Sequence, residues 1–154
     1  MHTINEQVVE LILSIMLIIF PKDTPIMNIK IDKLKINNPI YEKGSINNNI
    51  DKNVIILDES DYPDKQNGTV LIGAHSGTAK ESYFKNLNKL VIGDVIKLTY
   101  RDKLYTYKVD KISKDNKDGK ISINYENKKN RLVLFTCYPK DKNNYLIVSS
   151  YLSN

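Results

Sequence analysis

The chain has 154 residues, enough for one domain and too few for two comfortable ones, and its 41% hydrophobic content argues for a packed core rather than disorder. A net charge of +5 favours polyanionic surroundings, but the lysines are scattered and no basic stripe is interleaved with aromatics, so nucleic acid is not the expected partner. The single cysteine excludes a disulfide scaffold and a multi-cysteine zinc site.

Residues 8–20 read VVELILSIMLIIF and stop at Pro21. That run is short of the roughly 20 residues a helix needs to cross a bilayer, and Glu10 trims its apolar part further. The positive n-region and small-residue cleavage site of a signal peptide are both missing. A marginal membrane anchor, a core helix and an amphipathic surface helix all fit these residues.

After Pro25 the patterns turn to strands. Residues 27–36 (MNIKIDKLKI) alternate as one half-buried strand, and Asn37, Asn38 and Pro39 signal a turn. Residues 41–53 read as a loop. A short apolar run at 54–57 precedes an acidic loop at 58–64. The carboxylates of Asp58, Glu59, Asp61 and Asp64 have the oxygen chemistry of a calcium site, but a solvated loop is the plainer reading and no cofactor is expected. Residues 69–74 form a buried strand ending at His75. Residues 82–90 carry apolar side chains at 83, 84, 87 and 90, a helical turn or two. Residues 95–100 and 104–112 flank Arg101, Asp102 and Lys103 as a hairpin, and Tyr100, Tyr105 and Tyr107 read as packing. A polar turn at 113–119, a short strand at 121–123 and two more strands at 132–136 and 145–152 complete the chain. About eight short strands with one short helical insert imply a mainly β fold, a closed or nearly closed barrel that removes exposed edges.

Cys137 ends the run RLVLFTC, and His75 sits 62 residues earlier in GAHSG. Each falls at the end of an apolar strand, where side chains can meet at the mouth of a barrel. A thiol and an imidazole together deliver a thiolate for attack and a proton for a leaving amine. A small buried thiol and an ordinary loop histidine are the bland alternatives.

The flanking residues favour the pair. Residues 133–137 (VLFTC) resemble the TLxTC signature of sortases, the transpeptidases that anchor proteins to Gram-positive cell walls, with Val133 in place of the first threonine. LIGAHSG at 71–77 resembles the strand and loop that carry the sortase histidine. YFKNL at 83–87, with Leu90, Gly93 and Asp94, resembles the stretch that follows it, and YTYKV at 105–109 resembles the next strand. The resemblance covers roughly residues 28–152, in the family's order of histidine before cysteine.

It implies a single eight-stranded sortase-like β-barrel over residues 26–154, and it favours a membrane anchor for residues 1–25, with the catalytic domain on the extracellular face. It implies that Cys137 attacks an LPxTG-type sorting signal and forms a thioacyl-enzyme. An amine of a cell-wall precursor or a pilin resolves that intermediate, with His75 as acid and base. On a regular strand Thr136 points opposite to Cys137 and packs, but the resemblance makes it a candidate for lining the substrate site. One departure stands out. Sortases carry an arginine on the strand after the cysteine, where this chain aligns Tyr145, and its arginines are Arg101 and Arg131 alone. Arg131 is some 20 Å from Cys137 along an extended strand and reads as a surface charge. A neutral tyrosine hydroxyl is a poor stand-in for a guanidinium fork. Either Tyr145 substitutes, or a lysine of the loop 140–142 reaches in, or the chain is a catalytically weak, peptide-binding member of the fold. An unrelated small basic barrel that binds nucleic acid or another protein is the remaining alternative.

Overall fold

The structure, a computed structural model, describes residues 5–19, 23–118, 129–141 and 143–154. The expected strand at 27–36 is in fact a hairpin. β1 (Met27–Ile31) and β2 (Ile36–Ile40) pair antiparallel, from Met27 opposite Ile40 to Ile31 opposite Ile36. A 3₁₀ turn at Asp32–Leu34 makes the reversal, and Lys35 completes it in the left-handed region at φ 56°. Ile29, Ile31 and Ile36 are all buried, so the apolar alternation is satisfied on two strands instead of one. The expected turn at Asn37, Asn38 and Pro39 lies within β2. That strand ends the sheet order, and an edge strand tolerates proline because it need not donate on its open side.

β3 (Ile55–Ile56), β4 (Thr69–Gly73), β5 (Val95–Tyr100), β6 (Lys103–Asn116), β7 (Arg131–Cys137) and β8 (Asn144–Leu152) follow. The eight strands form one sheet in the order β2-β1-β5-β6-β8-β7-β4-β3. One face of every strand feeds a single core, which includes Ile29, Ile40, Ile56, Ile72, Leu98, Tyr107, Leu134 and Val148. Removing such side chains from water stabilises by about 1.5–3 kcal/mol each, which curls the sheet around its apolar face. The result is the mainly β, nearly closed eight-stranded barrel that the sequence implied. Tyr100, Tyr105 and Tyr107 are buried in it as packing residues.

The β5–β6 connection is a two-residue turn with Arg101 and Asp102 both at positive φ, 49° and 61°, as a tight hairpin requires. β6 runs on beyond its expected end. Residues 113–116, expected in a polar turn, stay paired with β8 as far as Asn116 opposite Asn144. The ladder holds extended a polar sequence whose composition suggests a loop. Residues 82–90 give turns and a single 3₁₀ helix, Leu87–Lys89, with Phe84, Leu87 and Leu90 buried. The expected strand at 121–123 lies outside the described residues.

α1 (Glu6–Ile19) precedes the barrel and exposes Val8, Leu11, Leu13 and Met16. Among the described residues, no helix is long and apolar enough to cross a membrane. In the acidic loop, Asp61 pairs with Lys65 at 2.5 Å and accepts from the Thr69 amide, while Asp64 pairs with Arg101. No group of three or more His, Cys, Asp or Glu among the described residues is arranged to hold a metal.

Candidate active site

β4 and β7 are the parallel neighbours in the sheet, and their register runs from Thr69 opposite Arg131 to Gly73 opposite Phe135. Every pair in that register is 62 residues apart, the same separation as His75 and Cys137. His75 and Cys137 keep that separation two residues beyond the last pair, and both line one cavity. Strand alternation puts both on the outer face of the barrel. There Leu71, Val133 and Ile147 form a second apolar cluster, joined by the half-buried Leu57, Phe135 and Tyr145. Gly73 lies beneath the Phe135 ring, and a Cβ at that position would come within 2.6 Å of Phe135 Cζ. The glycine lets the ring lie against β4 next to the cysteine's row.

His75 is held from both sides of its peptide. Thr136 Oγ1 donates to the Ala74 carbonyl at 2.6 Å, and the Phe84 amide donates to the His75 carbonyl at 3.0 Å. Its Nε2 lies 3.0 Å from Asp51 Oδ1. The Asp51 loop is itself tied down. The Asn48 side chain pairs with both the amide and the carbonyl of Ile56, and the Tyr83 hydroxyl donates to the Lys52 carbonyl. Nothing in the Asn- and Lys-rich sequence of residues 41–53 marks Asp51 as the histidine's partner.

Thr136 is not among the residues that line the cavity of His75 and Cys137; it lies where alternation puts it. It points into the barrel, opposite to Cys137, and is 2% exposed. Strand alternation assigns it to the interior, where its hydroxyl supports the histidine's backbone.

Cys137 is partly exposed and stands opposite Tyr145 on β8, which in turn stands opposite Asp115 on β6. The Lys117 amide donates to the Asn143 carbonyl, so the β6–β8 ladder continues one step beyond the strands. From there Lys117 Nζ crosses the Tyr145 ring at 5.2 Å from its centroid and donates to Cys137 Sγ at 3.0 Å. His75, Gly77, Lys117, Cys137 and Tyr138 share the walls of one cavity of about 490 Å³. Sequence reading missed Lys117 because it expected a turn where β6 persists. Lys140 lines a separate cavity with Ile112 and Lys114, and Lys142 lies outside the described residues.

Neither arginine belongs to the site. Arg101 pairs with Asp64 at the β5–β6 turn. Arg131 is at the far end of β7 and, contrary to its reading as a surface charge, is 6% exposed and donates to both carboxylate oxygens of Asp110 at 2.8 Å. Burial of its strand position demands that partner.

Known proteins share this fold. Sortase D of Bacillus subtilis (strain 168) is 30% identical over 111 residues, which are 72% of this chain and 53% of that protein; the chain thus spans about half of its curated relative. Sortase C1 of Group B Streptococcus (GBS) pilus island 1 superposes with a TM-score of 0.75 at 23% identity, covering 84% of this chain and 64% of that one. The lid mutant of sortase A from Corynebacterium diphtheriae superposes with a TM-score of 0.75 at 24% identity, covering 92% and 78%. The sequence model of the sortase domain matches residues 29–152, from the first barrel strand to the last, and by that match the chain belongs to the sortase family.

Proposed function

We propose that this chain is a cysteine transpeptidase that cleaves an LPxTG-type sorting signal. The observation that carries the reading is the β4–β7 register, which brings a histidine and the single cysteine together at one cavity on an apolar outer face. In the first step Cys137 Sγ bonds to the carbonyl carbon of the scissile peptide, and His75 takes the thiol proton. The carbon–nitrogen bond then breaks, and His75 returns the proton to the leaving amine. An incoming amine, from a cell-wall precursor or a pilin lysine, attacks the thioacyl carbon, the carbon–sulfur bond breaks, and an amine proton passes through His75 to regenerate the thiol. Asp51 accepts a hydrogen bond from Nε2, which leaves Nδ1 to exchange the proton. No step calls for a metal or an organic cofactor. The exposed apolar side chains of α1 suit attachment to a membrane, with the barrel on the extracellular face.

The test is trapping on the full chain. LPxTG-type peptides are added with and without oligoglycine or hydroxylamine, and intact mass is followed. The expected result is an acyl adduct on Cys137 that the amine removes and that Cys137→Ala abolishes while still binding peptide. The absence of arginine from the cavity favours one second reading, a weakly catalytic peptide-binding protein. Peptide binding with no adduct would establish it.

A further inference from the structure

We propose that Lys117 is a catalytic residue of this site, supplying from just past the end of β6 the positive charge that the family's arginine supplies elsewhere, and that Tyr145 positions it through its ring face. The inference rests on the cysteine transpeptidase reading above and names a further residue of the same site. Three observations carry it. Lys117 Nζ is within hydrogen-bond distance of the nucleophilic sulfur, at 3.0 Å. Both arginines are committed to carboxylates, Asp64 and Asp110, outside the cavity. The route of the lysine is built: its amide is fixed to Asn143, and its ammonium passes over a tyrosine that itself pairs with Cys137.

An ammonium there faces both places where negative charge develops. One is Sγ as it loses its proton. The other is the oxygen of the tetrahedral intermediate, which is borne on the carbon bonded to Sγ and lies within the swing of a flexible four-carbon stem. A lysine offers a point charge instead of a planar fork, so its aim depends on what holds the stem. The face of an aromatic ring attracts a cation and does so without its hydroxyl. Tyr145 therefore occupies the arginine's aligned position without replacing its function. It steers the cation that does.

The experiment uses p-nitrophenyl acetate on the full-length protein, which requires no sorting signal. Sγ gives its proton to His75 and bonds to the acetyl carbon, the ester C–O bond breaks and nitrophenolate leaves. The rate is read as the nitrophenolate burst and as an acetyl adduct on Cys137 by intact mass. Iodoacetamide alkylation, which forms no oxyanion, is measured in parallel. Lys117→Met is expected to slow acylation about a hundredfold, the usual loss for one oxyanion donor. Its alkylation should slow less, and Lys117→Arg should stay within about tenfold of wild type. Tyr145→Phe should match wild type while Tyr145→Leu slows acylation. A structural role for the hydroxyl predicts that both Tyr145 variants fail alike. Lys117→Met acylating at the wild-type rate would overturn the inference and leave the cysteine–histidine pair standing. Wild type that takes acetyl on Cys137 in a Lys117-dependent way, yet reacts with no LPxTG-type peptide, would overturn the peptide reading and leave Lys117 in place. A wild type that never acylates would overturn both.

Discussion

Thr136 is a buried side chain whose removal should be felt at the histidine. Thr136→Val keeps the shape of the residue and deletes the donor that meets the Ala74 carbonyl at 2.6 Å. Ala74 and Thr136 are each 2% exposed, so water cannot replace the lost donor. Leaving a buried acceptor without that donor costs about 1–3 kcal/mol, whereas the net worth of the bond itself is nearer 1 kcal/mol. For a domain of this size each kcal/mol moves the melting temperature by about 2–4 °C, so Thr136→Val should melt about 2–12 °C lower. Thr136→Ser keeps the hydroxyl and loses one buried methyl, a cost of about 1 kcal/mol. Stability alone therefore distinguishes the two variants poorly, and activity should separate them. Ala74 adjoins His75, so a carbonyl released from Thr136 lets the imidazole drift. A displacement near 1 Å at a reacting group costs on the order of a hundredfold. Thermal melts combined with acylation of Cys137 by an LPxTG-type peptide measure both effects. The serine variant should acylate near the wild-type rate and the valine variant well below it. Equal acylation by both variants, with the valine variant folded, would refute a backbone-holding role for Thr136.

Two further outcomes follow from particular contacts. Gly73→Ala places a Cβ 2.6 Å from Phe135 Cζ, so the ring must leave β4, at a cost of about 1–3 kcal/mol. Phe135→Leu in the same chain should recover part of that loss, and strict additivity in a double-mutant cycle by urea unfolding would show that the two do not touch. The Lys65 ammonium, with the Thr69 amide, holds the Asp61 carboxyl below its ordinary 3.8 in spite of some burial. A depressed folded-state value means that this contribution is present above the unfolded value and is lost as pH falls through the folded one. Wild type should therefore lose more stability between pH 5 and pH 2 than Asp61→Asn does, by less than about 1 kcal/mol for so exposed a pair. Parallel urea midpoints in the two proteins would contradict this.

Much of the barrel was legible because its strands are read by period and punctuation. The run at 69–74, the hairpin flanking residues 101–103 and the two C-terminal strands stand close to where their apolar alternation puts them. The misreadings share a cause. MNIKIDKLKI alternates correctly for its burial, but alternation cannot say that a 3₁₀ turn at Asp32–Leu34 folds it in half. Pro39 and residues 113–116 have the composition of turns, and strand pairing decided otherwise in both places. Arg131 looked like a surface charge because no local signal announces Asp110, 21 residues away, as its partner. Asp51 and Lys117 were invisible for the same reason: each reaches the site through a tertiary pairing and belongs to no motif.

The site's position follows from the one place among the described residues where the sheet breaks its antiparallel pattern. Antiparallel neighbours put the carboxyl end of one strand beside the amino end of the next, so two residues that each end a strand would be separated by the length of the ladder. β4 and β7 are parallel, and their carboxyl ends therefore leave the sheet side by side. A parallel pair demands a long crossover connection, and here β5 and β6 lie within it. That crossover does more than satisfy geometry. β6 pairs with β8, β8 with β7, and the far end of β6 thus returns to the same edge two strands away from the cysteine. Lys117 sits at that returning end. A residue on the strand next to β7 could reach Sγ with a short side chain, but one at the end of β6 needs the length of lysine and a surface to cross, and Tyr145 is that surface. The histidine, the thiol and the cation are thus delivered by three strand ends that the strand order alone gathers.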